Sequence, residues 1–148
     1  MSLFDDVLDD SSFAPEQFGP QEGFAGTLLA ASACDGHIAD EEVGTLVTTL
    51  ARMKMYQNVP PHKFNSMMDR LLGILKRGGP EKLIASAVPA VPPELRETVF
   101  ANCCDIVLAD GVVEADEKEF IDDLMIKLEL DKTRAKTIVQ VMVFKNQG

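Results

Sequence analysis

Apolar residues recur every three or four positions along most of this chain, which is the spacing of one face of an α-helix. In the segment 39–54, for example, Val43, Leu46 and Leu50 follow this spacing. No stretch alternates apolar and polar residues well enough to predict a strand. The pattern therefore predicts an all-α protein, a helical bundle of about seven helices. The predicted helices cover approximately residues 22–34, 39–54, 61–76, 80–87, 93–109, 114–128 and 131–145.

Glycine and proline mark the boundaries between these helices. Gly36 is predicted to end the first helix as a C′ residue. Gly79 and Pro80 predict a turn between the helices at 61–76 and 80–87. The last predicted helix is apolar nearly all round, so we expect it to lie centrally in the core. Its apolar residues are Ile138, Val139, Val141, Met142, Val143 and Phe144.

A short acidic phrase occurs twice, at residues 35–42 and 110–117, and both copies read Asp-Gly-x-(Ile/Val)-x-x-x-Glu. The copies begin 75 residues apart in a chain of 148, and apolar positions on both sides match at the same offset. The repetition predicts an internal pseudo-twofold repeat of helix-turn-helix pairs, with halves at about 21–76 and 93–148.

The repeated phrase has the chemistry of the second half of a calcium-binding EF-hand loop. Asp35 and Asp110 would supply oxygen ligands before the glycine of the sharp turn, and Glu42 and Glu117 would close the site from the following helix. The earlier ligand positions hold apolar residues in both copies, so neither copy is a complete loop. Two half-loops could share one divalent cation, for which calcium is favoured, and these four carboxylates are the candidate metal ligands.

The same residues also suit ordinary helix boundaries, and this alternative stays open. Asp and Gly are common turn residues, and Glu42 and Glu117 can reach back to backbone N–H groups as in a capping box. Under this interpretation the carboxylates would bind no ion.

The paired phrases, from Ala33 through Glu42 and from Leu108 through Glu117, resemble the repeated signature of the tellurite resistance protein TerB family. The signature also resembles a membrane-proximal domain of DnaJ-like co-chaperones. The resemblance covers about residues 20–146. It implies an all-helical fold with internal pseudosymmetry, a metal-binding acidic face, and a stress-response role with membrane-associated partners. It implies no established enzymatic reaction.

The chain departs from the family pattern after the apolar anchor of each phrase. Such turns often carry a helix-capping Ser or Thr there, whereas this chain has Ala39 in the first copy and Glu114 in the second. We therefore expect weaker capping in the first half, and the two acidic turns need not be equivalent.

Composition and charge narrow the function further. The net charge is −10, which repels nucleic acid and favours cations or basic partners. No segment is long and apolar enough to span a bilayer, and residues 1–10 are acidic where a signal peptide would be basic. We expect a cytoplasmic protein without membrane insertion. We expect residues 1–20 to form an acidic arm that is either mobile or packed on the core through its aromatic residues. Residues 21–148 are predicted to form a single domain.

Cysteine and histidine usage gives little support to an enzyme. The three cysteines lack metal-finger spacing, and we expect reduced, mostly buried thiols. The histidines, His37 and His62, are too far apart in sequence to indicate a metal cluster or catalytic triad. The predicted function is a non-enzymatic stress-response module that binds a divalent cation through its acidic turns. The alternatives are an acidic protein-interaction adaptor without metal and, more remotely, a hydrolase using paired carboxylates.

Overall fold

The computed structural model describes residues 18–36, 38–109 and 111–147, and their regular secondary structure is entirely helical. The all-α prediction is confirmed for this part of the chain, which contains six α-helices. They are α1 (Pro20–Ser32), α2 (Asp40–Ala51), α3 (Pro61–Ala87), α4 (Arg96–Leu108), α5 (Ala115–Lys127) and α6 (Lys132–Lys145). Short 3₁₀ turns lie at Lys54–Tyr56, Val88–Ala90 and Pro93–Leu95.

Two of the predicted helices, at 61–76 and 80–87, join into the long helix α3, which is interrupted at Gly79. Gly79 has φ 79° and ψ 176°, a backbone conformation that glycine adopts without a Cβ penalty. The next residue, Pro80, has no backbone N–H to continue the helical hydrogen bonds. The interruption therefore changes the direction of the chain at this point. This joining is why the described chain has six helices where the pattern predicts about seven.

The central element is α1, which is buried from Gly23 through Ala31 and packs against α2, α3 and α4. Its small residues permit this close packing. A Cβ added to Gly23 would lie 2.8 Å from the carbonyl oxygen of Ala87, inside van der Waals contact. Because α1 is surrounded by other elements, it lacks a polar face along most of its length.

An aromatic cluster fixes the start of α1 against α3. The ring of Tyr56 lies 6.5 Å from that of Phe24 and 5.6 Å from that of Phe64, both in edge-on arrangements. The Tyr56 hydroxyl donates a hydrogen bond of 2.7 Å to the carbonyl oxygen of Gln21. These contacts give the first half of the chain a rigid apolar centre.

The predicted central position of the last helix is wrong. In α6 the buried residue is Ala135, whereas Val141 and Phe144 are 51% and 69% exposed. The helix packs on the outside of α4. The apolar composition of α6 did not predict its burial. The central position is taken by α1 instead, because its glycines and alanines allow neighbouring helices to approach closely.

Residues 1–17 of the predicted N-terminal arm lie outside the described part of the chain. Phe18, the arm aromatic within the described part, is half-buried and packs against the core. The guanidinium carbon of Arg70 lies 5.0 Å from the centre of its ring, a cation–π contact. Among the described residues, none of the helices is both long and apolar enough to cross a membrane.

Candidate functional site

The glycines of the two acidic turns have similar φ values and equivalent backbone hydrogen bonds. Gly36 has φ 90° and Gly111 has φ 80°. The N–H of Gly36 donates to the carbonyl oxygen of Ala33 at 2.9 Å, and the N–H of Gly111 donates to that of Leu108 at 3.0 Å. Positive φ explains why glycine occupies this position in both copies.

The predicted C′ role of Gly36 is wrong in its detail. Helix α1 ends at Ser32 with Ala33 as its C-cap, so Gly36 lies beyond the C′ position. The intervening residues Cys34 and Asp35 form the turn itself. Gly36 therefore shapes the connection to α2 instead of terminating α1.

One cavity brings together three of the four predicted ligands. Asp35 and Glu42 from the first acidic turn and Glu117 from the second line a cavity of about 420 Å³. The fourth candidate, Asp110, lies outside the described residues. The cavity also has Asp105, from α4, in its wall. We call this space the inter-turn cavity.

The glutamates of the inter-turn cavity differ in their bonding. Glu117 Oε1 accepts a hydrogen bond of 2.9 Å from the backbone N–H of Glu114, which forms a capping box at the start of α5. In the first copy the N-cap is Ala39, which makes no side-chain capping bond. This difference matches the weaker capping predicted for the first half. Glu42 is exposed, and its carboxylate forms no hydrogen bond or ion pair with any described residue.

Asp105 is already engaged by the end of α6. Lys145 Nζ lies 3.0 Å from Asp105 Oδ1, and Asn146 Nδ2 donates to the same oxygen at 2.9 Å. These contacts partly neutralise the carboxylate at one side of the inter-turn cavity. Asp105 was not identified from the sequence as a residue of this cavity. Its position as an isolated acidic residue in the apolar second half of α4 could have indicated a polar site there.

The described carboxylates do not form a compact metal site. Within residues 18–36, 38–109 and 111–147, no group of three or more His, Cys, Asp or Glu side chains is arranged to hold a metal ion. The inter-turn cavity is also large for a bare ion, because a water molecule occupies only about 30 Å³ in the liquid. A cation bound by these residues would therefore retain several of its water ligands.

Cys34 lies close to both acidic turns and is half-buried. Burial, with the charges of Glu117 and Asp35, raises the pKa of its thiol to about 12. The thiol is therefore protonated at neutral pH and is a poor nucleophile. Cys103 and Cys104 are buried, and all three cysteines are free, which confirms the thiol prediction.

Cys34 is expected to react slowly with iodoacetamide in the folded protein. An ordinary thiol with a pKa of about 8.5 reaches its maximum rate near pH 10, whereas the rate at Cys34 should still be rising about tenfold per pH unit there. Mass spectrometry of the alkylated peptide measures the rate, and a Cys34→Ala variant identifies labelling at the buried cysteines. A rate that reaches its plateau near pH 9 would contradict the raised pKa.

Comparison with protein-family models, curated proteins and solved structures gives no match to this chain. The candidate function therefore depends on the chain's own residues and on the position of its acidic turns.

Proposed function

We propose that this chain is a non-enzymatic stress-response module, similar to the TerB family, whose acidic turns bind one divalent cation. The observation that carries the proposal is the shared cavity of Asp35, Glu42 and Glu117, since these residues come from both copies of the repeated phrase. Asp110, at the matching position of the second copy, is the fourth proposed ligand. Calcium is the favoured cation, because it accepts carboxylates and waters in flexible geometries.

An internal pseudo-twofold repeat is part of the proposal. Adding 75 to the bounds of α2 gives 115–126, and α5 spans Ala115–Lys127. The matched glycine conformations in the turns support the same relation. Such a repeat would place equivalent carboxylates on opposite sides of one cation.

The cation would act by joining the two halves of the bundle. It would neutralise carboxylates of both turns, and a ligand that binds only the folded state stabilises that state. Because the chain supplies few ligands and water supplies the rest, we expect a weak site, with Kd in the range of about 10⁻⁴ to 10⁻³ M. We propose a cytoplasmic location, which the free cysteines support.

A second candidate function is an acidic adaptor that docks a basic or membrane-associated protein without metal. It is favoured by the spacing of the described carboxylates, which form no three-ligand group. A lysine or arginine side chain would occupy the inter-turn cavity in place of the ion. The two candidates differ in whether divalent cations alone change the stability of the protein.

Calcium is expected to raise the melting temperature of EDTA-treated protein, and Asp35→Asn and Glu42→Gln should remove most of this rise. The physical reason is that each substitution deletes one charged oxygen ligand. Differential scanning calorimetry with and without millimolar CaCl₂ measures the effect.

Asp40→Asn is the matched control, because Asp40 lies in the first turn of α2 beside the candidate ligands but does not line the inter-turn cavity. It should keep the full calcium response. An equal response in all four proteins would assign the effect to general charge screening and contradict the site.

A further inference from the structure

A second cavity, of about 410 Å³, lies on the other side of the first acidic turn. It is formed by that turn, by the part of α3 that follows Gly79, and by one face of α5. The interruption at Gly79 therefore helps to shape it, since Pro80 and Glu81 form one wall. We call this space the α3–α5 groove.

The α3–α5 groove has an apolar floor. Ile84 and Leu124, which line it, belong to the buried core and are 3% and 1% exposed. Phe120, from α5, is half-buried and lies beside them. An apolar side chain entering the groove would therefore be shielded from water mainly by Phe120, because Ile84 and Leu124 expose little surface.

The rim of the groove is strongly acidic. Glu81, Glu119 and Asp123 are exposed, and no ion pair of theirs occurs with any described residue. Of the residues that the structure describes, five carboxylates and one amine, that of Lys127, line the groove, and their formal charges sum to −4 (one minus five). An acidic rim around an apolar floor attracts a ligand with the opposite charge and its own apolar group.

The charge excludes several occupants. Nucleic acid and anionic lipid would be repelled. The arm of this chain, residues 1–17, contains aspartates and a glutamate but no lysine or arginine, so it would be repelled as well. A lone metal ion would leave the apolar floor unused. The complementary occupant has apolar and basic side chains on adjacent positions of one segment.

We propose that the α3–α5 groove binds a basic amphipathic peptide segment of a partner protein, with an apolar side chain against Phe120 and Ile84 and with lysine or arginine against Glu119 and Asp123. The site is separate from the inter-turn cavity, although Asp35 lies between them. The proposal does not require a bound cation.

The test uses a fluorescein-labelled synthetic peptide with leucines at helical i, i+3 and i+4 spacing and lysines elsewhere. Its binding to the full chain is followed by fluorescence anisotropy at near-physiological salt. EDTA is present to remove divalent cations, so the result does not depend on whether the inter-turn cavity binds one. We expect saturable binding, at least about tenfold weaker when the leucines are replaced by alanine and absent when the lysines are replaced by glutamate.

Two charge-reversal variants locate the peptide on the protein. Asp123→Lys, in the groove, should weaken binding about tenfold. Asp122→Lys makes the same change in net charge at the neighbouring residue of α5, which does not line the groove, and should weaken it less than about twofold. Phe120→Ala should weaken binding by removing apolar contact, and circular dichroism verifies that this variant is folded.

Four outcomes would overturn the proposal. Absence of saturable binding is the first, and equal weakening by Asp122→Lys and Asp123→Lys is the second, because it indicates attraction to net charge alone. The third is full competition by spermine together with no effect of Phe120→Ala, which would assign the groove to a small polyamine. The fourth is a dimer that sedimentation detects in the protein alone and that Asp123→Lys abolishes, because it would assign the groove to a second copy.

Discussion

Replacing Phe24 with alanine is expected to lower the free energy of unfolding by about 3–5 kcal/mol. Phe24 is 1% exposed and lies on α1, the central helix, with its ring in edge-on contact with Tyr56. Truncation would leave a cavity that α1 cannot close, because it is already in contact with other helices on several sides. Urea unfolding followed by circular dichroism measures the change.

Phe144→Ala is the matched control for this prediction, since the same atoms are removed from a side chain that is 69% exposed. We expect a change within about 0.5 kcal/mol. Similar losses for Phe24→Ala and Phe144→Ala would contradict the central position of α1 and the peripheral position of α6.

Gly23→Ala is expected to destabilise the protein by about 1–3 kcal/mol, although alanine is the better helix former. The added Cβ would lie 2.8 Å from the carbonyl oxygen of Ala87 and 2.9 Å from atoms of Ala90. Some of these atoms are backbone, so the contact can be relieved only by moving α1 or the segment after α3. Thermal or urea unfolding detects the loss.

Gly44→Ala makes the same substitution in α2, where nothing lies within 4 Å of the added Cβ. Here helix propensity acts alone, and we expect stabilisation by about 0.5–1 kcal/mol. The two substitutions should therefore change stability in opposite directions. The same sign for both would refute the close approach of α1 to the end of α3.

Local periodicity predicted the helices well because the spacing of apolar residues within a segment indicates a helix. Local sequence also predicted the acidic turns, since the repeated phrase places Gly36 and Gly111 at positions of positive φ. Burial was predicted less well. The apolar residues of α6 suggested a central helix, yet Val141 and Phe144 are exposed, because the packing of distant segments decides which helix lies inside.

The candidate site shows the same division between local and long-range information. The repeated phrase indicated that Asp35, Glu42 and Glu117 belong together, and these residues line one cavity. The α3–α5 groove was not predicted. Its Glu81 and Asp123 lie 42 positions apart in the sequence (123 minus 81), on α3 and α5, and they line one cavity through packing between distant segments that local periodicity does not report.

The central claim is that the acidic turns bind one divalent cation between them. Calorimetric titration of EDTA-stripped protein with Ca²⁺, Mg²⁺, Mn²⁺ and Zn²⁺ tests it most directly. We expect saturable heat with Ca²⁺ at one ion per chain, lost in Asp35→Asn and Glu42→Gln and kept in Asp40→Asn. Absence of saturable heat with all four cations titrated to about 10 mM, well above the weakest expected Kd, or the same heat in the three variants, would contradict it.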